Sequence, residues 1–337
     1  MQPGQIFLIR FFGLMPMISF LQKQFLPVGL VCVAIVGLSV PSPGIFMALL
    51  PTQYVAVSII FFLSGLLLRT DEILAAVSAW PATLWGCASI LLLTPVIGAL
   101  IAVRLPIEPA FQIGLALFCC MPTTLSSGIA LTGQARGNVA LALLLTVLTN
   151  VGGIFTVPFA LALLLNPVLQ AVGPVDLSAA DLLVKLCLSI LLPLAVGKYL
   201  RRFFEAWITA RRSHLSMASN VALISVPWMK FSQSSERLTQ VAPLELLLLV
   251  ASGLAIHLLY LALNMGVVKL LSVGLAEGKA VVLLASQKTL PVAMTVLAFL
   301  PVPEETKGLI AIPCIIFHFG QIFLDAFIAT RWGNRVD

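Results

Sequence analysis

The stretch "CCMPTTLSSGIALTG", from Cys119 to Gly133, interrupts an apolar segment with a proline and a run of hydroxyl side chains. The residues before it read "FQIGLALF" and those soon after it read "VALALLLTVLT", so apolar sequence lies on both sides. Pro122 removes a backbone donor and clashes with the preceding helical turn. The hydroxyl groups that can satisfy the freed backbone belong to Thr123, Thr124, Ser126 and Ser127. The pattern predicts a helix that breaks inside a membrane.

The composition places the chain in a membrane. Of its 337 residues 60% are hydrophobic and only 9% are charged, with a mean hydropathy of +1.11, whereas soluble chains are roughly a quarter charged. We therefore predict an integral multi-pass protein in contact with the lipid bilayer. The net charge of +6 follows from cationic loops, so no nucleic-acid partner is expected.

Ten apolar segments are long enough to cross a hydrocarbon core of ~30 Å at about 1.5 Å per residue. They run near 26–42, 53–69, 83–104, 108–131, 138–165, 182–199, 215–230, 244–271, 276–300 and 308–330. The seventh is the weakest, because it is short and contains polar residues and a proline. The predicted fold class is an all-α membrane protein with ten transmembrane helices.

The predicted spans divide the chain into four parts. Residues 1–25 form an N-terminal lead-in, and residues 26–199 hold the first five-span repeat and the start of the second. The polar stretch 200–214, "LRRFFEAWITARRSH", is expected to be a cytoplasmic loop, and residues 215–337 hold spans seven to ten and a C-terminal tail. Because five is odd, equivalent spans of the two halves cross in opposite directions, as in an inverted repeat.

Cationic side chains are unevenly distributed between the two ends of the predicted spans. Thirteen of the 19 lysines and arginines fall on the side of the termini and five on the other, with Lys288 on neither. The positive-inside rule therefore puts both termini in the cytoplasm or an equivalent such as the stroma. No targeting address is legible, and we expect the plasma membrane in preference to an organelle.

A second interruption, "ASQKTLPVAM", lies in the ninth predicted span and contains Ser286, Gln287, Lys288, Thr289 and Pro291. It matches in position the first interruption, which lies in span four. Paired interruptions indicate a transporter binding site, where freed carbonyls hold cations and half-helix N-termini favour anions. The alternative is a pair of plain proline kinks patched by hydroxyl groups.

Lys288 lies about 10 residues from Gly278, which is roughly mid-bilayer. A cation there costs about 3 kcal/mol on insertion scales. It is retained if it faces a polar interior, pairs with another group or is deprotonated. The alternative is that its long side chain reaches back to the membrane interface.

Other polar side chains inside spans are candidates for the same site. His318, Gln321 and Asp325 share one helical face of the last span. They either face a transport core or hold the bundle together by interhelical hydrogen bonds. Residues of spans three and five that can line the same cavity are Ser89, Asn138 and Thr146. The lone His257 is interpreted as a packing residue.

Motifs of intramembrane enzymes are missing from the sequence. It has no Asp-x-x-x-Asp pair to hold magnesium diphosphate, no His-Glu-x-x-His and no Gly-x-Ser-x-Gly. We therefore predict that the protein is not an enzyme.

Four segments together resemble the bile acid:sodium symporter superfamily. They are "IFFLSGLLLRTDEI", "CCMPTTLSSGIALTGQARGN", "SQKTLPVAM" and "IPCIIFHFGQI". The closest similarity is to the SBF-like branch, which includes the solute carrier family 10 member 7 type and plant and microbial relatives. The resemblance implies two inverted five-span repeats, a core domain with discontinuous crossing helices four and nine, and a flanking panel domain.

The resemblance also implies sodium sites at the crossing. By position their ligands fall on Ser126, Ser127, Thr146 and Ser89. The sodium-binding glutamate of the family has no counterpart, since Leu284 or Ser286 stands there. Lys288 replaces an expected glutamine, and this internal lysine favours proton coupling or sodium-independent transport.

Our prediction is a secondary active transporter that moves a small organic anion by alternating access, coupled to sodium or to protons. No cofactor is expected, with a sodium ion as the one candidate, and the oligomeric state is left open. The alternative is a non-transporting membrane regulator of ion entry or trafficking on the same fold.

Overall fold

The computed structural model describes residues 25–68, 79–170 and 176–334. In these ranges all regular secondary structure is helical. The first seven helices are α1 (Phe25–Ser39), α2 (Pro41–Leu49), α3 (Thr52–Leu67), α4 (Trp80–Ala102), α5 (Pro109–Cys119), α6 (Ser127–Gln134) and α7 (Val139–Leu169). The others are α8 (Ala179–Ala210), α9 (Arg212–Gln233), α10 (Ser235–Leu238), α11 (Pro243–Leu270), α12 (Leu275–Ser286), α13 (Leu290–Phe299) and α14 (Glu304–Asn334). The predicted lead-in, 1–25, lies outside the described residues except for its last residue.

Several of the described helices are long and apolar enough to cross a membrane. Six pass this test by length and composition: α4, α7, α8, α11, the consecutive pair α12–α13, and α14. The pair α1–α2, which bends by 98°, makes a seventh if it is one span, and α3 and α5 are shorter apolar helices. The described part of the chain is therefore an all-helical membrane protein, and each predicted segment falls on one helix or on a consecutive pair.

The helices pack as two bodies, which we call the panel and the core. The panel contains α1, α2, α3, α9 and the half of α8 from Leu192 onward. The core contains α4 to α7 and α11 to α14. The bodies meet where α9 packs on α14, where α13 packs on α3, and where the first half of α8 packs on α7 and α13. Of the 18 most apolar consecutive residues of each span, 94% are buried in α12–α13 and only 17% in α8. The core therefore encloses the second interrupted segment.

Two glycines bring α3 and α8 into main-chain contact. A Cβ added to Gly65 would lie 2.2 Å from the carbonyl oxygen of Leu194, and one added to Gly197 would lie 2.1 Å from that of Phe62. Any side chain at either position therefore collides with the backbone of the facing helix. Small residues permit this close approach in membranes, where packing takes the place of the hydrophobic effect.

The stretch 200–214, predicted as a loop, is helical instead. α8 continues to Ala210 with a kink at Phe204, whose backbone is non-helical (φ −122°, ψ 22°), and α9 begins at Arg212. The stretch is amphipathic, because Arg201 and Ile208, one on each side of the kink, are buried while the residues between them are exposed. The arginine content of the stretch conceals this amphipathic pattern from a count of apolar residues.

An aromatic face runs along the second half of α8. Tyr199, Phe203, Phe204 and Trp207 are each more than half exposed. The guanidinium of Arg202 lies 3.8 Å from the ring centroid of Tyr199, within the range of a cation–π interaction. Aromatic side chains of this kind are typical of the level at which a helix leaves the hydrocarbon.

We predict that Gly197→Ala lowers the free energy of unfolding by about 1–3 kcal/mol, the usual effect of overpacking. The added methyl group meets the carbonyl oxygen of Phe62, so α3 and α8 must separate. Thermal unfolding of the purified protein in detergent measures the change. Gly266→Ala is the matched control, because a Cβ at Gly266 has nothing within 4 Å. Equal melting temperatures for the two variants would contradict the close contact.

Candidate functional site

Both predicted interruptions are present, and they meet. The first break runs from residue 120 to 126 and the second from 287 to 289. The main-chain N–H of Thr289 in the second break donates to the carbonyl oxygen of Pro122 in the first over 2.9 Å. Two unwound segments therefore satisfy each other where lipid supplies no hydrogen bonds.

Threonine hydroxyl groups of the first break reach across to the second. Thr123 Oγ1 donates to the carbonyl oxygen of Leu284 over 2.6 Å, and Thr124 Oγ1 donates to Oε1 of Gln287 over 2.6 Å. Thr124 Oγ1 also accepts from the N–H of Gly128 over 3.1 Å. Thr124 therefore caps the first turn of α6 and ties it to the second break.

Each of the two long core helices holds one break with a side-chain amide. On α7, Asn150 donates through Nδ2 to the carbonyl oxygen of Thr123 over 3.0 Å. On α14, Gln321 accepts from the N–H of Lys288 over 2.8 Å and donates to the carbonyl oxygen of Lys288 over 2.6 Å. Gln321 thus replaces both main-chain partners that Lys288 loses where the helix stops.

Lys288 is fully buried, and a local defect in α4 receives its ammonium group. α4 contains a π-helical turn at Ser89–Leu93, in which the N–H of Thr94 bonds to the carbonyl oxygen of Ser89. The carbonyl oxygen of Ile90 is thereby released, and it lies 3.2 Å from Lys288 Nζ. The ammonium also donates to Thr94 Oγ1 over 2.9 Å. The π turn therefore gives the buried cation its partners.

A cavity of about 530 Å³ lies between the core and the panel at the level of the first break. This volume is within the range of small-molecule sites. The cavity extends toward the end of the bundle where α3 ends and α9 begins, since Leu68 and Arg212 both line it. Its polar lining residues are Ser64, Thr124, Ser126, Ser127, Thr146, Asn150, Arg212, Ser216, Ser219, Asn220, Thr289 and His318.

Three buried polar atoms on cavity residues have no hydrogen-bond partner among the residues that the structure describes: Asn150 Oδ1, Thr289 Oγ1 and His318 Nε2. Such an atom costs about 1–3 kcal/mol when it is left unpaired. His318 Nδ1 lies 3.2 Å from the amide nitrogen of Gln321 and accepts from it, so Nε2 carries the proton of the neutral ring. The wall therefore holds a donor, an acceptor and a hydroxyl group that lack partners.

The structure sorts the predicted site residues into three places. Six line the cavity: Thr124, Ser126, Ser127, Thr146, Thr289 and His318. Five are buried in the crossing behind the cavity wall: Thr123, Ser286, Gln287, Lys288 and Gln321. The remaining two belong to neither group, although Ser89 begins the π turn that receives the ammonium of Lys288. Ser89 Oγ donates to Asn264 Oδ1 on α11 over 2.7 Å, and Asn138 caps the start of α7.

Three of these placements differ from the sequence-based expectation, and the first is that of Ser89, which does not line the cavity. Lys288 does not share the cavity, because the carbonyl oxygen released in α4 draws its ammonium in the opposite direction. Asn138 does not line the cavity either. Its side chain accepts from the N–H of Leu141 over 2.9 Å and donates to Glu277 over 3.0 Å, as expected of a favoured N-cap residue.

The cavity also contains residues that the sequence analysis did not select. On α9, Arg212, Ser216, Ser219 and Asn220 line the panel side. Their spacing of four, three and one residues places them on one helical face. The sequence signal for these residues is the polar stripe in the seventh predicted span. Arg212 precedes that span, and the sequence indicates only its effect on topology.

His257 has a buried hydrogen-bond partner on another helix, so its role is not the packing role that the sequence predicts. Nε2 of His257 lies 2.8 Å from Oδ1 of Asp325 on α14, and Nδ1 lies 3.1 Å from the carbonyl oxygen of Ser286. The second oxygen of Asp325 accepts from Nε2 of Gln287 over 2.6 Å. Both side chains of the pair are fully buried. The polar stripe of the last span therefore bonds to the second break and to α11.

Residues 24–334 match the SBF-like CPA transporter family. The chain belongs to this family. One relative, named "probable sodium/metabolite cotransporter BASS4, chloroplastic" in Arabidopsis thaliana, is 38% identical over 331 residues, which cover 95% of this chain and 74% of that protein. The "sodium/bile acid cotransporter 7" of Danio rerio is 26% identical over 335 residues, which cover 93% of this chain and 95% of that protein. The "putative symporter YfeH" of Escherichia coli is 26% identical over 286 residues, covering 84% of each.

Membership of this family confirms three predictions. The resemblance to bile acid:sodium symporters holds over nearly the whole chain. The relatives are named as cotransporters and symporters, so the chain is a membrane transporter of a small molecule rather than an enzyme. The two broken helices that meet in the core both contribute residues to the wall of the cavity.

We predict that Gln321→Leu destabilises the crossing by about 2–4 kcal/mol, since it leaves the N–H and the carbonyl oxygen of Lys288 buried without partners. Chemical denaturation in detergent measures the change. Gln134→Leu is the matched control, because Gln134 bonds to Thr330 at an exposed site, where substitutions change stability by about 0.5 kcal/mol or less. Similar losses for both variants would contradict the role assigned to Gln321.

Proposed function

We propose that the protein is a secondary active transporter that moves an organic anion by alternating access between the core and the panel. The observation that carries this proposal is the charge of the cavity between the two bodies. Among the described residues that line it there are hydroxyl groups, amides and one arginine, but no aspartate or glutamate. A carboxylate or sulfate bound there meets a positive charge and donors without a like charge nearby.

Arg212 supplies the formal positive charge of the cavity. It is exposed at the first position of α9, where the unpaired N–H groups of a helix N-terminus add to the attraction for an anion. Its guanidinium can bind a carboxylate with two parallel hydrogen bonds. Ser216 and Asn220, one and two turns further along the same face, can hydrogen-bond the rest of the solute.

The unpartnered polar atoms favour transport over the alternative of a non-transporting regulator. Asn150, Thr289 and His318 line the core side of the cavity, opposite Arg212 on the panel, and the unpartnered atom of each is buried in that wall. A small rotation of these side chains would let a polar solute bond to both bodies at once. A regulator that acts through partner proteins has no need for such atoms around an internal cavity.

We further propose ten spans arranged as two inverted five-span repeats. The broken pairs α5–α6 and α12–α13 are each followed by a helix of 31 residues, α7 and α14. Asn150 on α7 bonds to the first break as Gln321 on α14 bonds to the second. In this arrangement α4 corresponds to α11, and the panel helices α1–α2 and α3 correspond to α8 and α9.

The proposed orientation places both termini and the mouth of the cavity on the cytoplasmic side. It is supported by the excess of lysines and arginines in the segments that connect the predicted spans on that side of the membrane. The name of the Arabidopsis relative assigns that protein to the chloroplast. For this chain we keep the plasma membrane as part of the proposal, and microscopy of a C-terminal fluorescent fusion in the native host tests it.

Sodium is the coupling ion in the names of two relatives. In this chain the candidate sodium ligands Ser126, Ser127 and Thr146 all line the cavity. Thr146 Oγ1 donates to the carbonyl oxygen of Ala142 over 2.8 Å, which leaves its lone pairs for a hard cation. No carboxylate of the described lining accompanies them, so a sodium ion there would be neutralised by the bound anion itself.

An ionic cluster closes the other end of the junction between the two bodies. Lys230, a buried residue near the end of α9, forms an ion pair with Glu304, the first residue of α14. Lys307 Nζ donates to the same carboxylate over 2.8 Å and to the carbonyl oxygen of Ala298 over 3.0 Å. The panel is therefore tied to the core at the end opposite Arg212. Alternating access requires this cluster to open when the cavity closes.

We predict that Arg212→Gln weakens anion uptake about tenfold or more, the loss expected when a charged hydrogen bond of about 1.5–3 kcal/mol is removed. The measurement is uptake of radiolabelled benzoate, succinate and taurocholate into proteoliposomes under imposed sodium or pH gradients. Arg211→Gln is the matched control, since Arg211 is not among the cavity residues. If the wild type transports none of these anions under any gradient, the proposed substrate class is wrong.

We predict that Glu304→Gln favours states open at the Lys230 end by about 2–4 kcal/mol, because a buried lysine loses its counter-charge. Hydrogen-exchange mass spectrometry of residues 230–238 and 303–310 should show faster exchange. Glu205→Gln is the control, because Glu205 pairs with Arg201 inside one helix and joins no two bodies. Unchanged exchange in the Glu304 variant would show that the cluster does not hold the junction.

A further inference from the structure

The pair His257–Asp325 is a buried histidine and carboxylate that the cavity does not contain. Nδ1 of His257 lies 3.1 Å from the carbonyl oxygen of Ser286, and Nε2 lies 2.8 Å from Oδ1 of Asp325. Oδ2 of Asp325 accepts from the amide of Gln287 over 2.6 Å. Both residues have no exposed surface. The described part of the chain thus buries an ionisable pair at the second break.

The hydrogen bonds of this pair fix its proton content. A carbonyl oxygen only accepts, so Nδ1 of His257 must carry a proton. Nε2 then bonds to Asp325 in one of two forms: a charged imidazolium facing a carboxylate, or a neutral imidazole facing a carboxylic acid. Both forms contain one proton more than a neutral histidine beside a carboxylate. Loss of that proton leaves two acceptors facing each other, so one of the two bonds of His257 must break.

The surrounding titratable groups have other partners. Lys288 donates to Ile90 and Thr94 on α4, the hydroxyl group of Tyr260 on α11 donates to Thr94, and His318 on α14 bonds to Gln321. Cys119 and Cys120 lie at the end of α5. Glu277 and Lys279 stand in the first turns of α12, about 10 Å or more of helix before Ser286. Among the hydrogen bonds described for Asp325, His257 is the only titratable partner.

The pair connects to the cavity through two side chains. Gln287 donates to Asp325 with its amide nitrogen and accepts from Thr124 Oγ1 with its amide oxygen. Thr124 lines the cavity and caps α6. Two hydrogen bonds therefore connect Asp325 to a hydroxyl group of the cavity wall.

We propose that the His257–Asp325 pair is the binding site of a proton that is transported together with the anion. This inference rests on the proposed transport function. The pair takes up the proton in the conformation described here, and the added positive charge favours an anion near Thr124. When the junction between core and panel switches, the anion leaves and the proton leaves with it. No bond other than those to the proton forms or breaks.

Coupling between proton binding and anion binding predicts how far the anion can be accumulated. If the proton strengthens anion binding, the anion strengthens proton binding by the same factor. For one proton per monovalent anion, a gradient of one pH unit drives at most about tenfold accumulation at zero membrane potential. Sodium held equal on both sides leaves this accumulation unchanged.

The first test needs no transported solute. The chain has only three histidines, so nitrogen-15 labelling of histidine gives few enough signals for solid-state NMR of the protein in liposomes. Variants of His214 and His318 to glutamine assign the His257 signals by elimination. At low pH we expect the signals of a His257 ring in which both nitrogens carry or share a proton. As the pH rises, we expect the signals of a single neutral tautomer. A single neutral tautomer at every pH would overturn the proposal.

The second test uses taurocholate, whose sulfonate stays ionised and therefore does not cross the bilayer as a neutral acid, in proteoliposomes with an imposed pH gradient. Asp325→Asn and His257→Gln should retain exchange of labelled for unlabelled anion but lose the roughly tenfold accumulation driven by acid outside. The matched controls are Asp181→Asn and His214→Gln, since Asp181 and His214 are exposed and lie outside the crossing. Variants that accumulate anion with the wild-type pH dependence would overturn the proposal.

The two tests separate this inference from the proposed function. Absence of anion flux in the wild type, with a titrating His257 signal, refutes the substrate class and leaves a proton site in place. Flux driven by sodium alone, with an untitrated His257, refutes the proton site and leaves the transporter in place. If the Asp325 variant does not fold, the NMR titration of the wild type still decides.

Discussion

The hydrogen bond from the N–H of Thr289 to the carbonyl oxygen of Pro122 is the contact on which the rest of the core depends. Two helices stop inside a region where lipid offers no partner for their main chain, and every freed group must be satisfied by protein. The threonines of the first break, the amide of Asn150 and the amide of Gln321 all serve this requirement. Asn150 belongs to α7 and Gln321 to α14, and the two threonines bond to the end of α12 and to the residue after it. The two breaks therefore fix the relative positions of α7, α12 and α14. The cavity lies beside this arrangement and takes its core wall from it.

Charge is divided between two places that do different work. Lys288 is held by a carbonyl oxygen released in α4 and lies behind the cavity wall, so it contributes a fixed positive charge rather than a direct ligand. Arg212 stands on the panel, within the cavity itself. In the proposed binding mode, a solute that bridges the two bodies meets the guanidinium of Arg212 on one side and neutral polar groups on the other. This division explains how a chain can retain a cation at mid-membrane although the cost is about 3 kcal/mol on insertion scales.

Local chemistry was readable from the sequence, and long-range partners were not. Pro122 and Pro291 with their neighbouring hydroxyl groups predicted both breaks, because proline acts on its own helical turn. The partners of the Lys288 ammonium were not predictable, because they depend on a hydrogen bond in another helix. That bond joins the N–H of Thr94 to the carbonyl oxygen of Ser89 and leaves the carbonyl oxygen of Ile90 free for Lys288. The sequence around His257 predicts a packing role, because its partner, Asp325, lies 68 residues further along the chain. The arginines of 200–214 predict a loop, because they mask an amphipathic helix that only the burial of Arg201 and Ile208 reveals.

The aromatic face of α8 has a consequence for how such a protein moves. Tyr199, Phe203, Phe204 and Trp207 are exposed on the panel, with Arg202 stacked beside Tyr199. Rings of this kind settle among lipid headgroups and resist displacement along the bilayer normal. Gly65 and Gly197 hold α3 against the same helix through backbone contact, so an interaction that anchors α8 in the bilayer also anchors α3. In the proposed alternating-access cycle, displacement along the bilayer normal is then expected of the core and not of the panel.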